Sequence, residues 1–153
     1  TFLFAAIDVA KTVAACLVGM WLLPADPQIG KMVAGAASQL GHIFPVFYRF
    51  HGGKGIVCAG ALALMMDWRI FVILFSVFLI VFFTTHYVSL GSVLAAVGYA
   101  IAFPVFFRNN LPVALLGVAV ALMALFMHRS NIVRLCKGKE TKTYLKKSHR
   151  EET

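Results

Sequence analysis

Residues 41–66 read Gly41-His42-Ile43-Phe44-Pro45-Val46-Phe47-Tyr48-Arg49-Phe50-His51-Gly52-Gly53-Lys54-Gly55, followed at once by the apolar run Ile56-Val57-Cys58-Ala59-Gly60-Ala61-Leu62-Ala63-Leu64-Met65-Met66. Glycines, histidines and a lysine lie here between two apolar spans, in a chain whose other charges sit almost entirely at the ends of such spans. Gly52 and Gly53 let the backbone turn sharply and let amides approach a ligand with no Cβ in the way, and Lys54 adds a positive charge. The combination suits an anion, above all a phosphate. It is not a nucleotide-binding loop of the Gly-x-x-x-x-Gly-Lys-Ser/Thr type, because Tyr48 holds the first glycine position and Gly55 follows the lysine.

The surroundings of this loop decide the solvent. Of 153 residues, 61% are hydrophobic and 13% charged, with 14 phenylalanines. Soluble proteins carry roughly 25% charged residues, about twice this share, and a core of this size could not bury so much apolar surface. The chain therefore reads as an all-α integral membrane protein. Cys16, Cys58 and Cys136 are isolated, form no metal-ligating motif, and read as small packing residues. The start, Thr1-Phe2-Leu3-Phe4, lacks a basic leader and an initiator methionine, which predicts that the chain begins inside a longer protein.

Breaks at polar, proline and glycine positions divide the chain into six apolar segments, at about 2–23, 31–48, 55–66, 69–85, 88–107 and 111–127. The expectation is a polytopic bundle with six transmembrane helices in this chain. Crossing a bilayer takes roughly 20 residues, so the third segment is too short unless the loop before it is sunk below the headgroups. Irregular backbone at that depth must pack among helices or line a wet cavity. If the segments alternate across the bilayer, the stretches rich in chemistry, His51–Gly55, Thr84–Ser92 and His128 onward, share one face. Arg49, Lys54 and the Lys/Arg residues from Arg129 to Arg150 lie on that face, against Lys31, Arg69 and Arg108 on the other, so it is read as cytoplasmic. Residues 1–136 form the membrane domain and 137–153 a basic cytoplasmic tail, which fits either attraction to anionic lipid or a solvated tail. No aromatic interleaving supports a nucleic-acid partner.

Ionisable groups within membrane segments are candidates for function, each with a structural alternative. Asp8 and Lys11, spaced i,i+3, suit a mutual salt bridge or a lysine facing phosphate. His42 suits a helix end or a ligand contact. Ser89 and Ser92 could cap a helix or donate to a phosphate oxygen. His128 and Asn131 project from one face of the last helix and are the preferred catalytic pair, and Glu140 could simply pair with Arg134 or a tail lysine.

At Gly41-His42-x-Phe44-Pro45-x-Phe47 through Gly52-Gly53-Lys54-Gly55, and at His128-Arg129-x-Asn131-Ile132-x-Arg134-Leu135-x-x-Gly138-x-Glu140, the sequence resembles the bacterial glycerol-3-phosphate acyltransferases that use acyl phosphate as donor. These stretches are similar to that family's second and third signatures, Tyr87–Ser92 to the segment between them, and Asp8-x-x-Lys11 to an Asp-x-x-Lys-Gly element in which Thr12 here replaces the glycine. His86 stands where arginine is frequent. The family's first signature, a serine-bearing loop after an initial helix, has no counterpart in these residues. The resemblance implies seven helices in the complete protein, of which these six are the second through seventh. It implies transfer of a fatty acyl group to the 1-hydroxyl of glycerol 3-phosphate, giving lysophosphatidic acid, at the bacterial inner membrane, with no metal and no cofactor. On it His128 and Asn131 are catalytic, while Lys11, His42, Gly52, Gly53, Lys54, Gly55, Ser89 and Arg134 bind substrate. None of the five histidines is followed five residues later by aspartate, so the thioester-dependent chemistry of the soluble-headed acyltransferases is disfavoured. The rival reading is a small anion transporter or channel lined by Lys54, His128 and Arg134.

Overall fold

The structure, a computed structural model, describes residues 2–45 and 53–144. Seven helices account for most of them: α1 Phe2–Leu22, α2 Pro27–Ile43, α3 Ile56–Met66, α4 Trp68–Thr85, α5 Val88–Phe106, α6 Leu111–Met127 and α7 Arg129–Cys136. α1, α4 and α5 are long and apolar enough to cross a membrane, whereas α6 and α7 form a pair bent by 57°. α3, with 11 residues, is about 16 Å long, roughly half of a bilayer's hydrocarbon thickness. The six apolar segments thus correspond to α1–α6, but the residues described here supply three clear spans, not six.

Two boundaries differ from those expected. α2 begins four residues earlier, at Pro27, because Asp26 caps it: the carboxylate accepts from the Ile29 N–H at 3.0 Å, and proline fits the first helical position. The last apolar helix does not continue to Asn131 but breaks at His128, which closes α6 and opens α7. His128 and Asn131 therefore sit on either side of a bend, not along one straight helix face.

Neighbouring helices pack in antiparallel order, with α1 against α2, α4 against α5 and α5 against α6, while α3 fits between α1, α2 and α4. The α1–α2 crossing is so close that a Cβ on Gly19 or Gly30 would overlap the other's backbone carbonyl. The core holds Cys16, Met32, Leu62, Ile70, Tyr99, Phe103, Val113 and Val120. Tyr99 stacks on Phe103 at 4.2 Å, and Phe103 fills the space left by Gly117. The perimeter is also apolar, with Phe4, Trp21, Trp68, Ile80, Ile101, Leu115 and Phe126 exposed, the pattern of helices whose outer solvent is lipid.

Candidate functional site

The antiparallel order puts the start of α1, the end of α2, the start of α3, the α4–α5 turn and the α6–α7 bend at one end of the bundle. Two polar groupings form there.

The first joins α1, α2 and the entry to α3. Lys11 Nζ lies 2.6 Å from Asp8 Oδ1 and 3.1 Å from His42 Nδ1, and that ring nitrogen is 3.0 Å from the same carboxylate oxygen. The opposite edge of the ring, at Nε2, faces Gly53. Gly53 N–H donates to the His42 carbonyl at 3.2 Å, and a Cβ on Gly53 would overlap the ring. Gly55 precedes α3 at φ +74, a left-handed conformation natural to glycine, and a Cβ there would press on Gln39 and Ile43. Gln39, buried in α2, donates to the carbonyls of Gly55 at 3.4 Å and Val120 at 3.2 Å, tying the loop to α6. Sequence reasoning missed Gln39; its signal was an amide side chain far from the helix start, among the small and apolar residues Val33, Ala34, Ala36, Ala37 and Leu40.

Asp8, His42 and Cys58 place metal-ligating atoms within 4.8 Å of one another. The Lys11 ammonium already supplies the positive charge between Asp8 and His42. A second cation about 4 Å away would be repelled by roughly 4 kcal/mol per unit of charge in surroundings of intermediate dielectric. The set suits a lysine better than a metal ion.

The second grouping joins α5, α6 and α7. His128 is 2% exposed, and its Nδ1–H donates to the Ala124 carbonyl at 2.8 Å, since a carbonyl can only accept. The neutral ring therefore presents Nε2 as a lone pair. The Lys54 ammonium lies within electrostatic reach of this ring, and among the described residues it has no ion-pair partner. Asn131, 4% exposed, donates from Nδ2 to Glu140 Oε1 at 2.8 Å, while its Oδ1 has no partner among the described residues. Arg134 Nε donates to Glu140 Oε2 at 2.7 Å. Burial pushes the Glu140 carboxyl up, but the hydrogen bonds from Arg134 and Asn131 outweigh it and hold the group below the usual glutamate range.

Ser89 lies inside α5, not at its cap, which is Tyr87. Its buried hydroxyl faces the Glu140 carboxylate without a hydrogen bond of proper geometry, and has no partner among the described residues. Buried polar atoms are nearly always paired, so two orphans at one end of the bundle mark a place for a polar ligand. His86 ends α4 in the left-handed region at φ +60. Its carbonyl accepts from Thr143 N–H at 2.8 Å, and its ring meets Tyr144 at 4.9 Å, so residues 142–144 fold back over the α4–α5 turn. Those contacts between distant segments left no trace in the sequence.

Of the candidate residues, Lys11, His42 and Gly53 meet in the first grouping and Ser89, His128, Asn131 and Arg134 in the second, with Lys54 and Gly55 between. Gly52 lies outside the described residues. Beside them opens a groove of about 390 Å³ between α1, α3, α4 and α5, walled by apolar side chains such as Val9, Ile56, Phe71, Phe78 and Val88.

Residues 1–138 match the family described as glycerol-3-phosphate acyltransferase. Proteins of that name from Finegoldia magna and Geobacillus kaustophilus are 41% and 40% identical over 114 and 134 residues, 74% and 86% of this chain. The chain spans only 58% and 64% of the length of these two curated relatives. Two crystal structures of PlsY (YgiH), described as an integral membrane glycerol 3-phosphate acyltransferase, share the fold. Its lysphosphatidic acid form superposes with a TM-score of 0.78 at 28% identity, covering 92% of this chain and 71% of that one. Its glycerol 3-phosphate form gives 0.76 at 26%, covering 91% and 70%. The matched span, the relatives and the shared fold agree: this chain belongs to the glycerol-3-phosphate acyltransferase family.

Proposed function

We propose that the complete protein transfers a fatty acyl group from acyl phosphate to the 1-hydroxyl of sn-glycerol 3-phosphate, releasing phosphate and lysophosphatidic acid. One observation carries this reading: a cationic, hydrogen-bonding end with orphaned buried polar atoms adjoins an apolar groove, the two halves of an amphiphilic substrate's environment. The names of the related proteins, and of the two ligand forms of the PlsY structures, support it.

On this reading Lys54, with the amide of Gly55 and with Gly52, holds a substrate phosphate, Gly53 shapes the loop while its N–H is held by the His42 carbonyl, and Ser89 adds a donor. Lys11 and His42 fasten that loop to α1. The acyl chain lies in the groove. The glycerol hydroxyl oxygen attacks the acyl carbon, the bond from that carbon to the bridging oxygen breaks, and the phosphate leaves with both electrons. His128 Nε2 takes the hydroxyl proton, a contribution of about 10² to 10⁴ in rate for a positioned base. Asn131, held through Nδ2 by Glu140, presents its unpartnered Oδ1 to accept from and orient a substrate hydroxyl, and Arg134 faces the departing phosphate. The donor is a mixed anhydride and already activated, so positioning and charge stabilisation suffice without metal or cofactor.

The same reading has all six segments spanning or entering a bacterial inner membrane as part of a seven-helix protein. Its active end is cytoplasmic, with a membrane domain at 1–136 and a basic tail at 137–153 whose first residues rest on the bundle. A transporter would need polar groups at depth from both ends. The opposite end offers Asp67, already paired with Arg69 at 2.7 Å, and Asn110, bonded to Gln28 at 3.3 Å.

The test is to purify the full-length protein, supply glycerol 3-phosphate with acyl phosphate or with acyl thioesters, and measure acylated product and free phosphate. Product from acyl phosphate alone is expected. Equal or better use of a thioester, or no product from either donor, overturns the reading.

A further inference from the structure

The groove is not a uniform trough. Its inlet lies among Ile56, Val88 and Ser92, next to the loop and Ser89, and its lining runs along α3 to Leu64, along α4 to Phe71 and along α5 to Tyr99. From residue 88 to residue 99, α5 advances roughly 16 Å at 1.5 Å per residue. At that far end the groove meets Leu74 and Tyr99, which are 7% and 2% exposed. Tyr99 is backed by the stack onto Phe103 and then Phe107, so this end cannot yield without moving the core. The side is different: Val57, Leu64, Phe75 and Val88 line the groove yet stand exposed on the apolar perimeter, so it opens laterally toward lipid. Midway, Gly60 leaves open space, since a Cβ there would meet only Phe71, at 3.9 Å.

From this geometry we propose that the groove is a length gauge for the acyl donor, with Leu74 and Tyr99 as its stop and Gly60 as the position that keeps it open to full depth. The inference rests on the acyltransferase reading and specifies which donors that site prefers. A chain up to the stop is buried along its whole length. A longer one must turn out through the side into lipid, where its displaced methylenes stay in an apolar medium, so the cost is the close packing lost at the bend and reads as a severalfold fall in kcat/KM.

The test measures kcat/KM for a series of saturated acyl phosphates of increasing length with the full-length protein and two variants. Gly60→Leu fills the groove midway and is expected to raise the short-to-long ratio tenfold or more. Leu74→Ala lengthens the groove and is expected to lower that ratio. The opposed signs matter, because mere damage to the bundle would depress all donors in both variants. Should Gly60→Leu fail to fold, Gly60→Ala, whose methyl has room, is expected to shift the ratio the same way to a smaller extent. Length profiles that coincide in all forms, as when bilayer lipid fills the groove, overturn the gauge while leaving the acyltransferase reading intact. Absence of turnover by the unsubstituted protein at every length overturns that reading instead.

Discussion

The two ends of this bundle are built by opposite rules. At the end away from the site, each turn completes itself: Asp26 caps α2, Asp67 accepts from Arg69 N–H at 2.9 Å, and Asn110 caps α6 through Val113 N–H. At the site end, α3 and α5 begin without a side-chain cap, and Ser89 and Asn131 bury atoms with no partner among the described residues. Local capping stabilises a helix terminus by about 1 kcal/mol, so a chain that caps one end and leaves the other uncapped has reserved those donors and acceptors for something outside itself. Folding and function have been assigned to different ends.

The contrast can be broken by substitution. His128→Ala in the full-length enzyme is expected to cut kcat by about 10²-fold or more if Nε2 is the base. A kcat within threefold of the unsubstituted enzyme would transfer that role to the substrate phosphate. Lys54→Ala is expected to lower kcat/KM for glycerol 3-phosphate by about 10²-fold, the usual cost of losing a charge-assisted contact in a shielded site, with membrane insertion unchanged. Unaltered kinetics would remove the lysine from the site. Asp67→Ala, at the other end, is expected to lower stability by about 1 kcal/mol through the lost cap, seen as a lower midpoint in thermal unfolding, and to leave kcat/KM as it was. Loss of turnover there would erase the distinction between the ends.

A smaller effect sharpens the picture through pH. The folded Glu140 carboxyl sits below its ordinary value of 4.5, so its bonds to Asn131 and Arg134 contribute fully above that value and fade as pH falls through the lowered one. Protection of the Lys139 and Thr143 amides, measured against their intrinsic exchange rates at each pH, is expected to fall only on that acid side. Equal protection down to strongly acidic pH would show that the fold-back of residues 137–144 does not depend on this carboxylate.

Much of the architecture was legible in the sequence, because apolar runs broken at proline, glycine and polar residues map directly onto helices α1–α6. The Asp8–Lys11 bridge and the pairing of Glu140 with Arg134 were each one of two alternatives that the sequence left open, and the structure shows both. What escaped depended on competition or distance. The Asp26-Pro27 start of α2 was read as loop, since a capping aspartate and a first-turn proline look like a break. For Ser89 a helix cap and a phosphate contact were both open, and the cap falls away because the backbone turns into α5 at Tyr87, two residues earlier. The sixth apolar segment was already expected to end at 127, as α6 does, but His128 and Asn131 were still read on one helix face because Arg129–Cys136 continues a helical pattern. The contacts of Gln39 with Val120, and of His86 with Thr143, join residues far apart in the chain and leave no periodic mark.

The sideways mouth of the groove sets the route of traffic. On the acyltransferase reading, donor and product reach and leave the site by two-dimensional diffusion among neighbouring lipids, while the small polar acceptor arrives from water at the other side of the same junction. Turnover then answers to the fluidity of the surrounding bilayer as well as to the concentration of dissolved substrate.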